Sequence, residues 1–283
     1  MKKIIVFAIL MVFTVVSSCR KEDKTGPLPG AKKYMTYTES DNAVLLGQYG
    51  ADLTMVTSDP YFGDNGPIVN NPKGYAVLIG DSKGRLWKEL HGFYTAMKSK
   101  PIVNRAFGGS MWEHIDYYLP SLLRATTGKN YNLKRIIFGP IGENEYLTHY
   151  KPTWWTGKTA LSNTWKGYMY EKAKSVIQRA HELAPNAEIV FIYMDACPRF
   201  FNYAEGGSFD IDAYNNTIKS YLTLYGGPKT SIIDYSWKLH TWPRRIAKPI
   251  DKYYTKPDGV HFPQITYDEI VVPDVLANIK ETY

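Results

Sequence analysis

The chain has 283 residues, of which 44% are hydrophobic and 22% charged, and its formal charge is +7. The length suits one sizeable α/β domain better than two small ones. The positive excess is mild and spread out, with no Lys/Arg tract resembling a nucleic-acid footprint, so no nucleic-acid partner is implied.

The first elements are read as targeting segments. Lys2 and Lys3 form a basic start, Ile4 to Val16 is an apolar run of thirteen residues, and Ser17-Ser18-Cys19 follows at once. This is the layout of a secretory signal, and the run is shorter than the roughly 20 residues a membrane-spanning helix needs. The small pair before Cys19 resembles a bacterial lipobox, in which the cysteine is acylated and becomes the new N-terminus. Residues 1–18 are therefore expected to be a lipoprotein signal peptide and Cys19 the lipidated residue; the alternative is an ordinary signal peptide with an incidental cysteine. Residues 19–30, polar and ending in Pro29-Gly30, read as a tether. Lys21-Glu22-Asp23 resembles a surface-export signal of some Gram-negative lipoproteins, or is simply a solvated leader; the lipoprotein resemblance implies an envelope location, at the outer membrane, and the export signal would add surface exposure. Cleavage before Cys19 leaves 265 residues with a charge of +5. It also leaves Cys197 without an internal disulfide partner, so stability must come from the core. Residues 31–74 are turn-rich, with Asp59-Pro60, Asp64-Asn65-Gly66 and Asn70-Asn71-Pro72, and form an extension of unknown role.

From residue 75 onward short apolar runs alternate with helical patterns. The runs Tyr75–Ile79, Ile102–Val103, Leu133–Phe138, Glu188–Met194 and Ser231–Tyr235 are rich in Ile, Val, Phe and Tyr and do not alternate strictly, as expected of parallel strands buried on both faces. Helices are expected over Leu86–Met97, over Trp112–Ala125 with an interruption at Pro120, and over Ser162–Leu183, where apolar residues recur at three- and four-residue spacing. Asp210 is the expected cap of the next helix, which Gly226-Gly227-Pro228 should end. A last helix should start near Thr266, where Thr266 and Glu269 have capping-box spacing, and be kinked or restarted by Pro273. Repeated strand–helix alternation implies a parallel sheet covered on both sides, with its chemistry at the carboxyl ends of the strands.

Four such ends carry candidate residues. Gly80-Asp81-Ser82 after the first strand can present a hydroxyl and its own N–H, though it is equally a good turn and helix cap. Gly108-Gly109 after the second lets the backbone approach a ligand, or merely makes a tight turn. In Gly142-Glu143-Asn144-Glu145 the Asn144 amide can donate to a developing negative charge, or close an Asx turn. In Asp258-Gly259-Val260-His261 a carboxylate three residues from an imidazole can orient it as a base, the pairing an activated serine needs; a surface turn with an incidental histidine is the other reading.

Together, in this order and after successive strands, the four blocks resemble the SGNH (GDSL-like) hydrolase family over roughly residues 74–283. The resemblance implies a three-layer α/β/α sandwich on a five-stranded parallel, flavodoxin-like sheet, occupying 75–283. It implies Ser82 as nucleophile, His261 as its base, Asp258 as the group orienting His261, and an oxyanion hole of the Ser82 and Gly109 N–H groups with the Asn144 amide. No cofactor is implied, and no metal, since the six histidines show no paired spacing with a third ligand. Two departures stand out: Lys83 occupies a place where many members carry leucine or another uncharged residue, which is expected to alter the pocket beside the nucleophile, and Glu145 stands where aspartate is commoner.

The implied activity is hydrolysis of a carboxylic ester through an acyl-enzyme. Trp154 and Trp155, following the Asn144 block, would suit a sugar ring and favour an O-acyl or O-acetyl group on a carbohydrate, such as an acylated polysaccharide; packing in the core is the plainer role for such rings. Two alternatives stand beside this: a lysophospholipase or thioesterase using a long apolar groove, and an inactive glycan-binding surface lipoprotein on a hydrolase scaffold.

Overall fold

The computed structural model describes residues 68, 71–97, 99–123, 132–149, 163–199, 207–241, 249–256 and 258–283, all within one unit spanning Tyr37–Tyr283. The leader 1–18, Cys19, the tether 19–30, nearly all of the 31–74 extension and the Trp154–Trp155 pair lie outside the described residues.

Five strands form the centre: β1 (Tyr75–Ile79), β2 (Ile102–Asn104), β3 (Leu133–Phe138), β4 (Glu188–Ile192) and β5 (Thr230–Ile233). They are parallel and lie in the order β2-β1-β3-β4-β5, the flavodoxin-like order. β1 is apolar throughout, and β3 and β4 are apolar over Ile136–Phe138 and Ile189–Ile192, because both faces are buried there. Tyr75, Val77 and Ile79 enter one core with Ile136, Phe138, Ile189 and Phe191, while Ala76 and Leu78 enter the other with Ile137, Val190 and Ile192. The twofold alternation of a strand is intact; it separates two apolar layers instead of core from solvent.

The first core is closed by α3 (Trp112–Leu123), α5 (Asn163–Leu183) and α6 (Gly207–Tyr225), the second by α1 (Ser82–Leu90), α2 (Phe93–Met97) and the C-terminal segment. A further helix, α4 (Glu143–His149), follows β3. The result is the expected α/β/α sandwich.

Several boundaries differ from the sequence reading. The helix expected over Leu86–Met97 starts at Ser82 and breaks into α1 and α2 at Gly92, whose φ is +62°. Pro120 does not interrupt α3, which runs through it. α6 starts at Gly207, so Asp210 lies inside its first turn and is not the cap. The strands end at Ile192 and Ile233, two residues earlier than expected.

The last helix starts at Gln264 after Pro263, and no capping box forms. Thr266 Oγ1 donates instead to the Tyr253 carbonyl, and Glu269 accepts from Lys252 and Tyr253. Pro273 acts as expected of a residue without an N–H: a π-helical stretch, Tyr267–Val271, precedes the final helix Val272–Asn278.

Two features draw the strand ends together. The order reverses at β1, which lies between β2 and β3, so the loops after these strands open onto one crevice. In addition α1 lies tightly on the loop after β2, because Gly84 has no side chain: a Cβ there would come within 2.5 Å of Ala106 Cβ. Gly84→Ala should therefore destabilise the protein by about 1–3 kcal/mol, the usual cost of overpacking. Urea unfolding measures it; an unchanged midpoint would show that the helix and loop can separate freely.

Candidate active site

Ser82 is the first residue of α1, and Asp81 caps that helix by accepting the Lys83 N–H at 2.9 Å. The first N–H groups of a helix have no acceptor within it, so the Ser82 N–H can serve a ligand oxygen. Ser82 Oγ lies 2.9 Å from His261 Nε2, and His261 Nδ1 lies 2.8 Å from Asp258 Oδ2. A carboxylate only accepts, so it fixes the proton on Nδ1 and leaves Nε2 to accept from the Ser82 hydroxyl.

The segment carrying Asp258 and His261 is closed by its own backbone: Thr255 N–H donates to the His261 carbonyl at 2.8 Å, and Gly259 N–H to the Thr255 carbonyl at 2.9 Å. Asp258 Oδ1 accepts from Thr255 Oγ1 and from the Val260 N–H, both at 2.8 Å, and from the His261 N–H at 3.1 Å. Partial burial opposes ionisation of Asp258, but the hydrogen bonds from His261, Val260 and Thr255 outweigh it, and the pKa falls to about 2. The carboxylate is thus charged throughout the neutral range.

The loop after β2 is tied to the turn that carries Ser82. Ser110 Oγ and the Phe107 N–H both donate to the Gly80 carbonyl, at 2.9 Å and 3.1 Å. Asn144 Nδ2 donates to the Ser110 carbonyl at 2.9 Å, which uses one of its two N–H bonds and leaves the second for a ligand. Glu145 holds the next turn by accepting the Trp112 N–H, the start of α3, at 2.6 Å. Gly142, before these residues, has φ +109°, and a Cβ on it would meet the Tyr214 ring at 2.6 Å, so only glycine suits this position.

Ser82, Gly109, Asn144, Asp258 and His261 all line one open cleft of about 360 Å³. Every described residue that the sequence singled out for this site is therefore brought to it. Lys83 is the exception to expectation. It does not alter the cleft wall; it turns inward, 2% exposed, onto Glu143 Oε1 at 2.9 Å and Asp195 Oδ1 at 2.7 Å. Burial opposes its charge, but Asp195 and Glu143 more than offset that and raise its pKa well above the usual lysine value. Burial in turn opposes the charge of Glu143, against which the Lys83 ammonium pulls.

The cleft also contains Arg85 and Arg199, which the motifs do not mark. Arg85 is legible afterwards, since it lies one turn beyond Ser82 on α1. Its Nε pairs with Glu89 at 2.9 Å, and its Nη1 lies over Gly108, 2.8 Å from where a Cβ would stand. Asp195 and Arg199 follow β4, a strand end with no recognisable motif, so nothing in sequence separates them from an ordinary loop.

No protein-family model matches the chain, and no curated protein matches it by sequence. Solved structures do. A protein from Bacteroides fragilis described as an acylhydrolase is 16% identical with a TM-score of 0.56, covering 83% of this chain and 95% of its own. A GDSL-like lipase from Bacteroides thetaiotaomicron is 14% identical with a TM-score of 0.54, covering 82% and 94%. A Streptococcus pneumonia protein described as a platelet activating factor is 14% identical with a TM-score of 0.55, covering 85% and 98%. At these identities the likeness establishes the fold: this chain has the α/β fold of GDSL-type hydrolases.

Burial raises the pKa of Glu145 to about 7, against which the Trp112 N–H pulls only partly. A raised carboxyl favours folding while it stays protonated. Its contribution is complete below the unfolded value near 4.3 and is lost as pH rises through about 7. Glu145→Gln keeps an acceptor for Trp112 but cannot ionise, so its Tm relative to the parent should rise between pH 5 and pH 8. A Tm difference that does not change over that range would show that Glu145 is ionised when folded.

Proposed function

We propose that this chain is a serine esterase that hydrolyses a carboxylic ester through an acyl-enzyme, with a short acyl group carried on a carbohydrate as its substrate. The observation that carries this reading is the continuous relay from Ser82 Oγ to His261 Nε2 at 2.9 Å and from His261 Nδ1 to Asp258 at 2.8 Å, opening on a cleft lined by Gly109 and Asn144.

In this mechanism Ser82 Oγ attacks the ester carbonyl carbon as its proton passes to His261 Nε2. The carbonyl oxygen becomes an oxyanion that accepts from the Ser82 and Gly109 N–H groups and from the second N–H of Asn144. Asp258 keeps Nδ1 protonated and stabilises the imidazolium. As the intermediate collapses, the C–O bond to the alcohol breaks and His261 returns the proton to the departing oxygen. Water then attacks the acyl-enzyme by the same route, releasing the acid and restoring Ser82.

The short acyl group is the simplest substrate such a cleft can take. Among the described residues its only apolar side chains are Leu86 and Val260, while Arg85 and Arg199 supply polar, cationic surface. The carbohydrate part rests on the sequence alone, in which Trp154 and Trp155 follow the Asn144 block and would suit a sugar ring. We also propose that acylation of Cys19 anchors the protein in the cell envelope, at the outer membrane; Cys19→Ser should release it from the membrane fraction and abolish labelling by radioactive palmitate.

A series of p-nitrophenyl esters from acetate to decanoate, run beside acetylated polysaccharides, tests the reading. Turnover should be greatest on acetate and acetate should be released from a polysaccharide. Ser82→Ala should fall to background, Asp258→Asn should lose about 10⁴-fold in kcat, and Asn144→Ala about 10²–10³-fold. A Ser82→Ala variant as fast as the parent would end the assignment. Rates rising with chain length would favour the lipid-directed alternative, and binding of glycans without any turnover the non-enzymatic one.

A further inference from the structure

Directly behind the cleft lies a buried charge cluster for which the hydrolytic steps have no use. Lys83 Nζ stands between Glu143 Oε1 at 2.9 Å and Asp195 Oδ1 at 2.7 Å, with all three side chains at most 2% exposed. The same ammonium lies 4.4 Å from the centre of the Phe262 ring. On the far side, Tyr254 donates its hydroxyl to Asp195 Oδ2 at 2.9 Å, and Tyr267 donates its hydroxyl to the Lys83 carbonyl at 2.6 Å.

The sequence neighbours of these groups give the cluster its meaning. Lys83 follows Ser82, Glu143 precedes Asn144, Phe262 follows His261, and Tyr254 precedes Thr255, which bonds Asp258. One ammonium is therefore the point at which the nucleophile turn, the Asn144 loop and the acid–base segment meet. Replacing a buried ion pair by apolar side chains of similar volume often leaves a protein as stable or more so. The fold alone thus does not call for a charge here, whereas three separate loops converging on one reacting carbon do call for a fixed spacing.

We propose that Lys83 is a positioning residue that acts through Glu143: its two ion pairs hold the Asn144 amide at the distance from Ser82 that the tetrahedral intermediate requires. This rests on the esterase reading. An interaction realised only in the transition state changes kcat and leaves ground-state binding alone. Loss of the tether therefore misplaces one oxyanion donor, which is worth roughly 10²–10³-fold in turnover.

The test compares Lys83→Met, Glu143→Leu, Glu143→Gln and the Lys83→Met/Glu143→Leu double variant on p-nitrophenyl acetate, with circular dichroism fixing the folded fraction. The parent is read first: a parent without turnover sinks the esterase reading itself and this proposal with it. Given an active parent, Lys83→Met and Glu143→Leu should each lose roughly 10²-fold or more in kcat per folded molecule, with KM within about threefold. The double variant should be no worse than either single one, because both remove the same tether. Glu143→Gln, which retains an acceptor for Lys83, should lose at least tenfold less than Glu143→Leu. Should Lys83→Met fail to fold, the Glu143 pair of variants carries the comparison alone. Lys83 is instead a structural residue only if folded Lys83→Met or Glu143→Leu keeps kcat within threefold of the parent, or if Gln and Leu at position 143 lose kcat equally.

Discussion

A single hydrogen bond, 2.9 Å from Ser82 Oγ to His261 Nε2, joins positions 179 residues apart in the chain, and the chemistry proposed for this protein depends on it. Neither side chain is unusual alone. A serine at a helix start is an ordinary cap neighbour, and a histidine near a C-terminal segment is an ordinary surface residue. What makes them a pair is a sheet that delivers both loops to the same edge, and a loop backbone stiff enough to keep the imidazole facing inward. Thr255, Gly259 and Asp258 provide that stiffness through bonds confined to the segment itself.

The sheet does this through its topology. Because β1 sits between β2 and β3, the residues that follow these three strands are neighbours in space while being far apart in sequence. The Gly80 carbonyl, accepting from both Phe107 and Ser110, and the Asn144 amide, donating to Ser110, bind the three loops to one another. Catalytic groups drawn from several loops are useful only when their spacing is fixed before the substrate arrives. The number of contacts devoted to these loops is thus the structural counterpart of the function proposed for them.

Much of this was legible in the sequence, for identifiable reasons. Strands buried on both faces leave unbroken runs such as Tyr75–Ile79, and the groups at their carboxyl ends are recognisable because Ser, Gly, Asn and an Asp–His pair in that order are rare by accident. Local boundaries were less legible where one feature overrode another. Thr266 and Glu269 have the spacing of a capping box, yet tertiary partners at Tyr253 and Lys252 claim both side chains. Pro120 would break an isolated helix, but in α3 the packing of Ile115, Leu119 and Leu122 against the sheet sustains it.

The Lys83 cluster was hidden for a different reason. A lysine beside a nucleophile is expected to face solvent, since burying its charge is costly. Only its pairing with both Glu143 and Asp195, two acids 52 positions apart, reveals that it faces inward, and Asp195 belongs to no motif. The convergence of Ser82 with His261 underlies everything proposed for this chain. Its most direct measurement is peptide mapping by mass spectrometry after treatment with a fluorophosphonate. A single adduct on the peptide containing Ser82, absent when His261 is replaced by alanine, is the predicted result. No adduct, or one on another serine that persists without His261, would contradict the account.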